Sequence, residues 1–297
     1  LRRMKRKIIK LGQATYVASL PNKWIREQNL TKGDYLEFEE RDGDLIISTE
    51  KKVGEIKRIT IKLPSKKLFL KRLVYVPYRF GYDEIKFIFS DPSLIKDIQK
   101  AAEILMGFEI VEQSKDYCIF RSISSSFEEE YENLYRRMFL VIHNLMKESI
   151  DILRSKSPEK MVSLAGTEVT IDKLCCFCER VINKRGSKNF FNNSYFYITA
   201  WSLRQIGSDW YKDIILNLKN DISSDFISSL QKVSDYFEKY SACFYKPNLE
   251  EIFQLKEIYF DINDHLIKQL NSKNNNENNN ERILIFHLLK ILDKINH

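Results

Sequence analysis

Eight basic residues and no acid fall in the first 26 positions, at Arg2, Arg3, Lys5, Arg6, Lys7, Lys10, Lys23 and Arg26. The next 24 reverse the sign, with Glu27, Asp34, Glu37, Glu39, Glu40, Asp42, Asp44 and Glu50 against Lys32 and Arg41 alone. Composition alone would mix the charges. The split therefore marks a small module with one cationic face suited to a polyanion, with nucleic acid the first candidate.

The local pattern of that stretch predicts a β-rich unit. Lys7 to Leu11 reads as a strand ending at Gly12, and Thr15 to Leu20 as a second, rich in β-formers. Pro21 stands where a helix can begin, and Trp24, Ile25 and Leu30 give that helix a short apolar face. Thr31 to Asp34 is a turn, Tyr35 to Glu40 alternates with Leu36 and Phe38 on one side, and Asp42-Gly43 supplies hairpin chemistry before Leu45-Ile46-Ile47. The order is ββαββ.

The runs Lys10-Leu11-Gly12, Val17-Ala18-Ser19-Leu20-Pro21, Trp24-Ile25 and Leu30-Thr31-Lys32-Gly33-Asp34 resemble the SpoVT-AbrB (MazE-type) swapped-hairpin DNA-binding domain. In that family two chains exchange hairpins to make one barrel, so the resemblance implies a homodimer through this segment and a double-stranded DNA partner. A module of about 50 residues also buries too little apolar surface to stand alone. By position, the resemblance nominates Lys5, Arg6, Lys7, Lys10, Gln13 and Thr15 as DNA contacts, with Lys23 and Arg26 on the helix as phosphate contacts and Arg2 and Arg3 extending the basic run. Lysines mainly fix register on phosphates, whereas arginines can read guanine edges. The competing reading of Arg2 to Lys7 is a solvated basic terminus.

The chain has 297 residues, room for two or three domains, and a net charge of +7. No run approaches ~18 consecutive apolar residues and no leader pattern opens the sequence, so a cytoplasmic protein without membrane insertion is expected. The five cysteines, Cys118, Cys175, Cys176, Cys178 and Cys243, form no disulfide framework. Cys175 and Cys178 make a C-x-x-C inside a helical pattern with no second pair to complete a zinc site. They read as reduced core thiols.

Residues 53–123 form an α+β connector. Strand signals at Ile56 to Leu63 and Asp83 to Phe89 alternate with helical ones at Lys67 to Tyr78 and Ser93 to Met106, and Phe108 to Val111 with Tyr117 to Ile123 closes as a hairpin. Spacer, dimerisation unit and ligand sensor all remain open for it. From Ser124 onward the chain is helical, with starts at the capping box Ser126-Phe127-Glu128-Glu129, at Ser157-Pro158, at Ser194, at Ser223, at Asn248 and at Glu281. The low-complexity run Asn271 to Asn280 separates the last two. Six helices divide into two triplets, over 124–218 and 219–297. The expected fold is multidomain: a small β-rich swapped-hairpin head over 1–52, the connector, and an all-α body of two tandem three-helix bundles.

The triplets echo one another. The middle helix of the first carries Glu168-x-x-x-Asp172, and that of the second carries Glu257-x-x-x-Asp261, 89 residues later. Like charges at i,i+4 cost a helix about 0.2–0.5 kcal/mol unless a cation intervenes. The third helices repeat as Leu203 to Asp209 and Leu288 to Asp293. This arrangement resembles the PhoU family of phosphate-uptake regulators, which implies a divalent or ferric metal ion on the bundles at Glu168, Asp172, Glu257, Asp261 and Asp293. The family's acidic position in the third helix is Arg204 in the first repeat and Leu289 in the second, and the following Asp is Ser208 in the first. Arg204 is thus placed to neutralise Glu168 or Asp172 in place of a metal. The second bundle is the better metal candidate. A MazE-type head on a PhoU-like body also resembles an architecture found among archaea.

No P-loop, nucleophile elbow or H-E-x-x-H occurs, and the four histidines, His143, His265, His287 and His297, are scattered. A non-enzymatic protein is expected. The reading these features support is a DNA-binding transcriptional regulator of phosphate homeostasis, whose head contacts DNA and whose body senses metal or phosphate status. The alternative is an adaptor that binds a phosphate transporter or sensor kinase through the body, the head acting only as a dimeriser. A weakly specific architectural chromatin protein is a third possibility.

Overall fold

The computed structural model describes residues 5–41, 43–49, 56–64, 69–123, 131–185, 190–218, 222–272 and 279–296. The chain divides into two compact units, Leu1–Glu55 and Ile56–His297. The expected multidomain plan is present: a hairpin-rich head, an α+β segment, then a helical body.

In the head, β1 (Ile9–Leu11) pairs antiparallel with β2 (Thr15–Val17), α1 (Asn22–Glu27) follows, and β3 (Leu36–Arg41) pairs with β4 (Asp44–Thr49). Both hairpin turns contain a glycine in the left-handed region, Gly12 at φ 73° and Gly43 at φ 85°, where a side chain would be strained. The turn before β3 is closed by Asp34, whose carboxylate accepts from the Thr31 N–H at 2.6 Å and from its hydroxyl at 3.2 Å. The first two strands are shorter than expected. Ala18, Ser19 and Leu20 beyond Val17 have no partner strand within the hairpin.

The second unit opens with β5 (Arg58–Lys62), α2 (Leu70–Arg79), β6 (Glu84–Ile88), α3 (Leu94–Ala102), β7 (Phe108–Gln113) and β8 (Tyr117–Ser122). The sheet order is β5-β6-β8-β7, with β5 and β6 parallel across α2 and the other pairs antiparallel. Ile85, Phe87, Cys118 and Phe120 alternate toward the helices, which answer with Leu70, Val74 and Tyr78 from α2 and Leu94, Ile98 and Ala101 from α3. Each of these larger apolar side chains contributes about 1.5–3 kcal/mol on burial. The other sheet face carries Arg58 and Arg121 on Glu84, and Lys86 over the Tyr117 ring.

The body comprises α4 (Tyr131–Arg154), α5 (Ala165–Arg185), α6 (Phe190–Asp209), α7 (Ser224–Tyr245), α8 (Leu249–Ser272) and α9 (Asn279–Asn296). Residues 126–129, the expected cap of the first, lie outside the described residues. Two helices depart from the sequence reading. Pro158–Leu164 winds as a 3-10 turn before α5, after Lys156 takes a left-handed φ of 53°. The third helix starts at Phe190 rather than Ser194 and passes into a π-turn over Trp210–Ile214. That wider turn keeps Trp210 buried, with its indole N–H on the Ser149 hydroxyl at 3.0 Å. The triplets do not stand apart: α4 packs on α7 and α6 on α9, placing α5 and α8 at the outside. Ser223 caps α7, and its N–H and hydroxyl both reach the buried Glu281 at the start of α9, at 2.6 and 2.8 Å.

Helix α5 joins the α+β segment to the helices. Arg180, its side chain 5% exposed, donates to the carbonyls of Tyr78 at 3.0 Å and Tyr82 at 2.6 Å and to the Asp83 carboxylate at 2.8 Å. Its guanidinium lies 5.0 Å from the Tyr78 ring and 4.7 Å from the Phe108 ring. Next to it in sequence, the buried Glu179 accepts from Arg79 at 3.1 Å, and one turn on Lys184 donates to Asp83 at 2.8 Å. Burial would raise the Asp83 carboxyl, but Lys184, the Lys57 N–H and Arg180 outweigh it and hold it below the usual carboxylate range. Gly81, at φ 83°, lets the chain pass this close: a Cβ there would meet Lys184 Cγ at 2.7 Å.

Removing one member of a buried, hydrogen-bonded ion pair costs about 3–5 kcal/mol, because the other charge is stranded. Arg180→Met is expected to lower unfolding stability by that amount in urea titration, while Arg58→Met, at a pair whose arginine is 63% exposed, stays within about 0.5 kcal/mol of the parent. Equal shifts for the two variants would remove the clasp from the account.

Candidate functional site

In the head, cationic and apolar surfaces are built on the same short strands. Register pairs Ile9 with Val17 and Leu11 with Thr15 on one face of the first hairpin, and Lys10 with Tyr16 on the other. The second hairpin sorts likewise, Phe38 opposite Ile47 and Glu40 opposite Leu45 on one face, Glu37 opposite Ser48 and Glu39 opposite Ile46 on the other. None of the head's described residues is buried. Ile9 is 60% exposed, Leu11 62% and Phe38 60%. Strands of alternating pattern present an apolar side to water only where a covering layer is missing.

Lys5, Arg6 and Lys7 are exposed immediately ahead of β1, Lys10 is exposed within it, Gln13 stands in the turn and Thr15 opens β2. These candidates are therefore gathered along one hairpin. Lys23 and Arg26 are exposed on α1, where Lys23 pairs with Glu27 at 3.6 Å, a contact in open solvent worth little. Arg2 and Arg3 lie outside the described residues.

The carboxylates expected to hold a metal are placed differently in the two repeats. In the first, Asp172 accepts from Arg204 Nε at 2.7 Å and Glu168 pairs with Lys212 at 2.8 Å. Burial opposes the charge on Arg204, yet Asp172 more than offsets it and raises its pKa. Helix α2 covers this face, and burial with the Asp172 carboxylate nearby pushes the Tyr75 phenol up to about 12. In the second repeat, Glu257 and Asp261 are exposed on α8, whereas Asp293 on α9 accepts from the Tyr259 hydroxyl at 2.6 Å. That bond, ahead of burial, raises the Tyr259 phenol to about 12. Among the described residues no three His, Cys, Asp or Glu side chains gather into a group able to hold a metal ion. His265 Nε2 lies 3.3 Å from the Ser229 hydroxyl.

Two contacts across the triplets escape a sequence reading. Asp209 pairs with Lys294, and His287 Nδ1 lies 3.2 Å from Asp213. Both acids flank or occupy the π-turn, whose added residue per turn shifts the phase that a 3.6-residue count assumes.

All five cysteines are free and buried. Cys175 lies against the Ala200 carbonyl at 3.4 Å and Cys178 against the Met138 sulfur at 3.9 Å. Burial pushes the Cys118 and Cys176 thiols up to about 12 and raises Cys175 and Cys178 as well. An ordinary thiol ionises near pH 8.5, and the thiolate is the nucleophile. These four therefore stay protonated at pH 8. A disulfide-exchange reagent at that pH is expected to titrate no more than one thiol per native chain and all five after denaturation; rapid loss of two from the native protein would restore a reactive C-x-x-C.

Residues 9–57 match the family model described as antidote-toxin recognition MazE, bacterial antitoxin. No curated protein matches the chain. Among solved structures, the phosphate transport system regulatory protein PhoU from Streptococcus pneumoniae aligns with a TM-score of 0.46 and 12% identity, over 57% of this chain and 89% of that one. No helix among the described residues is long and apolar enough to cross a membrane. Over residues 9–57 the chain is thus similar to MazE antitoxins.

Proposed function

We propose that this protein is a DNA-binding transcriptional regulator of phosphate homeostasis, in which two copies pair through their heads and set the basic hairpins against duplex DNA. The observation that carries this reading is the head itself. It folds into two amphipathic hairpins with no buried residue among those described, and six of its candidate contacts, Lys5, Arg6, Lys7, Lys10, Gln13 and Thr15, lie on or beside the first. A second copy supplies the missing interior, and pairing doubles the cationic surface. The match of residues 9–57 to MazE antitoxins supports the same plan. The phosphate assignment follows from the resemblance of the repeated helices to the PhoU family. A cation, phosphate or partner protein reaching the body is taken to shift how the heads are presented, through unequal affinity for two arrangements.

Fluorescence anisotropy on labelled duplex across a salt series tests this. Three lysine or arginine contacts from each of two heads give a log K against log salt slope of roughly −5. Arg6→Ala, Lys7→Ala and Lys10→Ala together should bring that slope toward zero and weaken binding at least about a hundredfold, with the mass by light scattering unchanged. A native chain with a flat salt response, or a triple variant that binds as the parent does, would leave the head as a dimeriser and favour the adaptor reading.

A further inference from the structure

Helices α5 and α8 hold matching places, α5 packed on α4 and α6, α8 packed on α7 and α9. The outward side of α5 is closed by α2, which seats Arg79 on Glu179 and leaves Cys176 and Glu179 with no exposure. Among the described residues of the second unit, no helix covers the outward side of α8 in this way. That side carries Leu249, 74% exposed, Phe253, 70%, Phe260, 54%, and Ile267, 41%. With Lys256 and Asn263 between them these positions run at alternating intervals of four and three residues, the spacing of a seam that receives another helix. Polar residues at two seam positions are the usual means of fixing register in such a pair.

Charge decides what that helix is. Glu250, Glu257 and Asp264 recur every seven residues along one edge of the seam, with Asp261 beside them, all exposed. Antiparallel pairing of two α8 helices about Phe260 would set Glu257 of one copy against Asp264 of the other, which is unfavourable. Parallel pairing would set Glu257 and Asp264 beside Ile252 and Tyr259 of the other copy, so neither arrangement gives the acids a basic partner. The helix that covers α5 carries Lys71, Arg72 and Arg79 and no acid.

We propose that the outward face of α8 docks an amphipathic helix of a partner protein, apolar at alternating three- and four-residue spacing and lysine- or arginine-rich along one edge. The proposal does not depend on the DNA role of the head.

The test uses the full chain and two labelled designed peptides of about three heptads. Both have leucine at the seam positions, one flanked by lysines and the other by glutamates. The lysine peptide is expected to raise anisotropy and the glutamate peptide to bind at least about tenfold more weakly. Phe253→Asp with Phe260→Asp should abolish binding while far-ultraviolet helicity is kept, and Glu257→Lys with Asp264→Lys should reverse the preference between peptides. Equal binding of both peptides, binding of neither, or a charge-reversed variant with unchanged preference would overturn the proposal. So would a drop in the parent's own mass on the phenylalanine substitutions, which would make a second copy the occupant.

Discussion

Arg180 is the point on which the larger unit turns. A guanidinium between two aromatic rings, bonded to two carbonyls and a carboxylate, fixes one helix of the body to the end of α2 and the entry of β6. Because such a charge is tolerable in the interior only when its donors are satisfied, the α+β segment and the helices hold one arrangement. Helix α5 is in consequence buried on two sides over Cys175 to Ile182, every one of those residues included. The acidic positions nearer the start of the helix, Glu168 and Asp172, are engaged by Lys212 and Arg204.

The head obeys the opposite constraint. Its hairpins satisfy their backbone groups locally through paired strands and glycine turns, yet none of its described residues is buried. Hydrogen bonding sets its shape while apolar burial is left to whatever covers it. Cationic residues lie on the same strands as the exposed apolar ones, so covering one face and presenting the other are linked.

Much of this was legible in the residues. Period-two alternation and glycine placement gave the ββαββ head and the order of strands and helices in the connector, and capping residues such as Ser223 and Asn248 marked helix starts. Arg204 standing where an acid was expected pointed to its pairing with Asp172. The C-x-x-C read as core thiols because it had no second pair, and all its sulfurs are buried. What escaped depended on distant contacts. Nothing local in Glu179-Arg180 distinguishes a buried clasp from an ordinary solvated pair, because its partners are about 100 residues away. The π-turn at Trp210 was equally silent, since its backbone departs from the period by which helical faces are counted. Nor could periodicity show that the acids of one repeat would be covered and those of the other left open.

That none of the head's described residues is buried bears on how much protein a cell must hold. On the pairing proposed above, the head's folding is bimolecular, so the ordered fraction of heads grows with chain concentration. At low abundance the folded pairs scale with the square of the number of copies. Doubling the amount of protein then raises the assembled form fourfold, and synthesis rate alone becomes a graded-to-steep control.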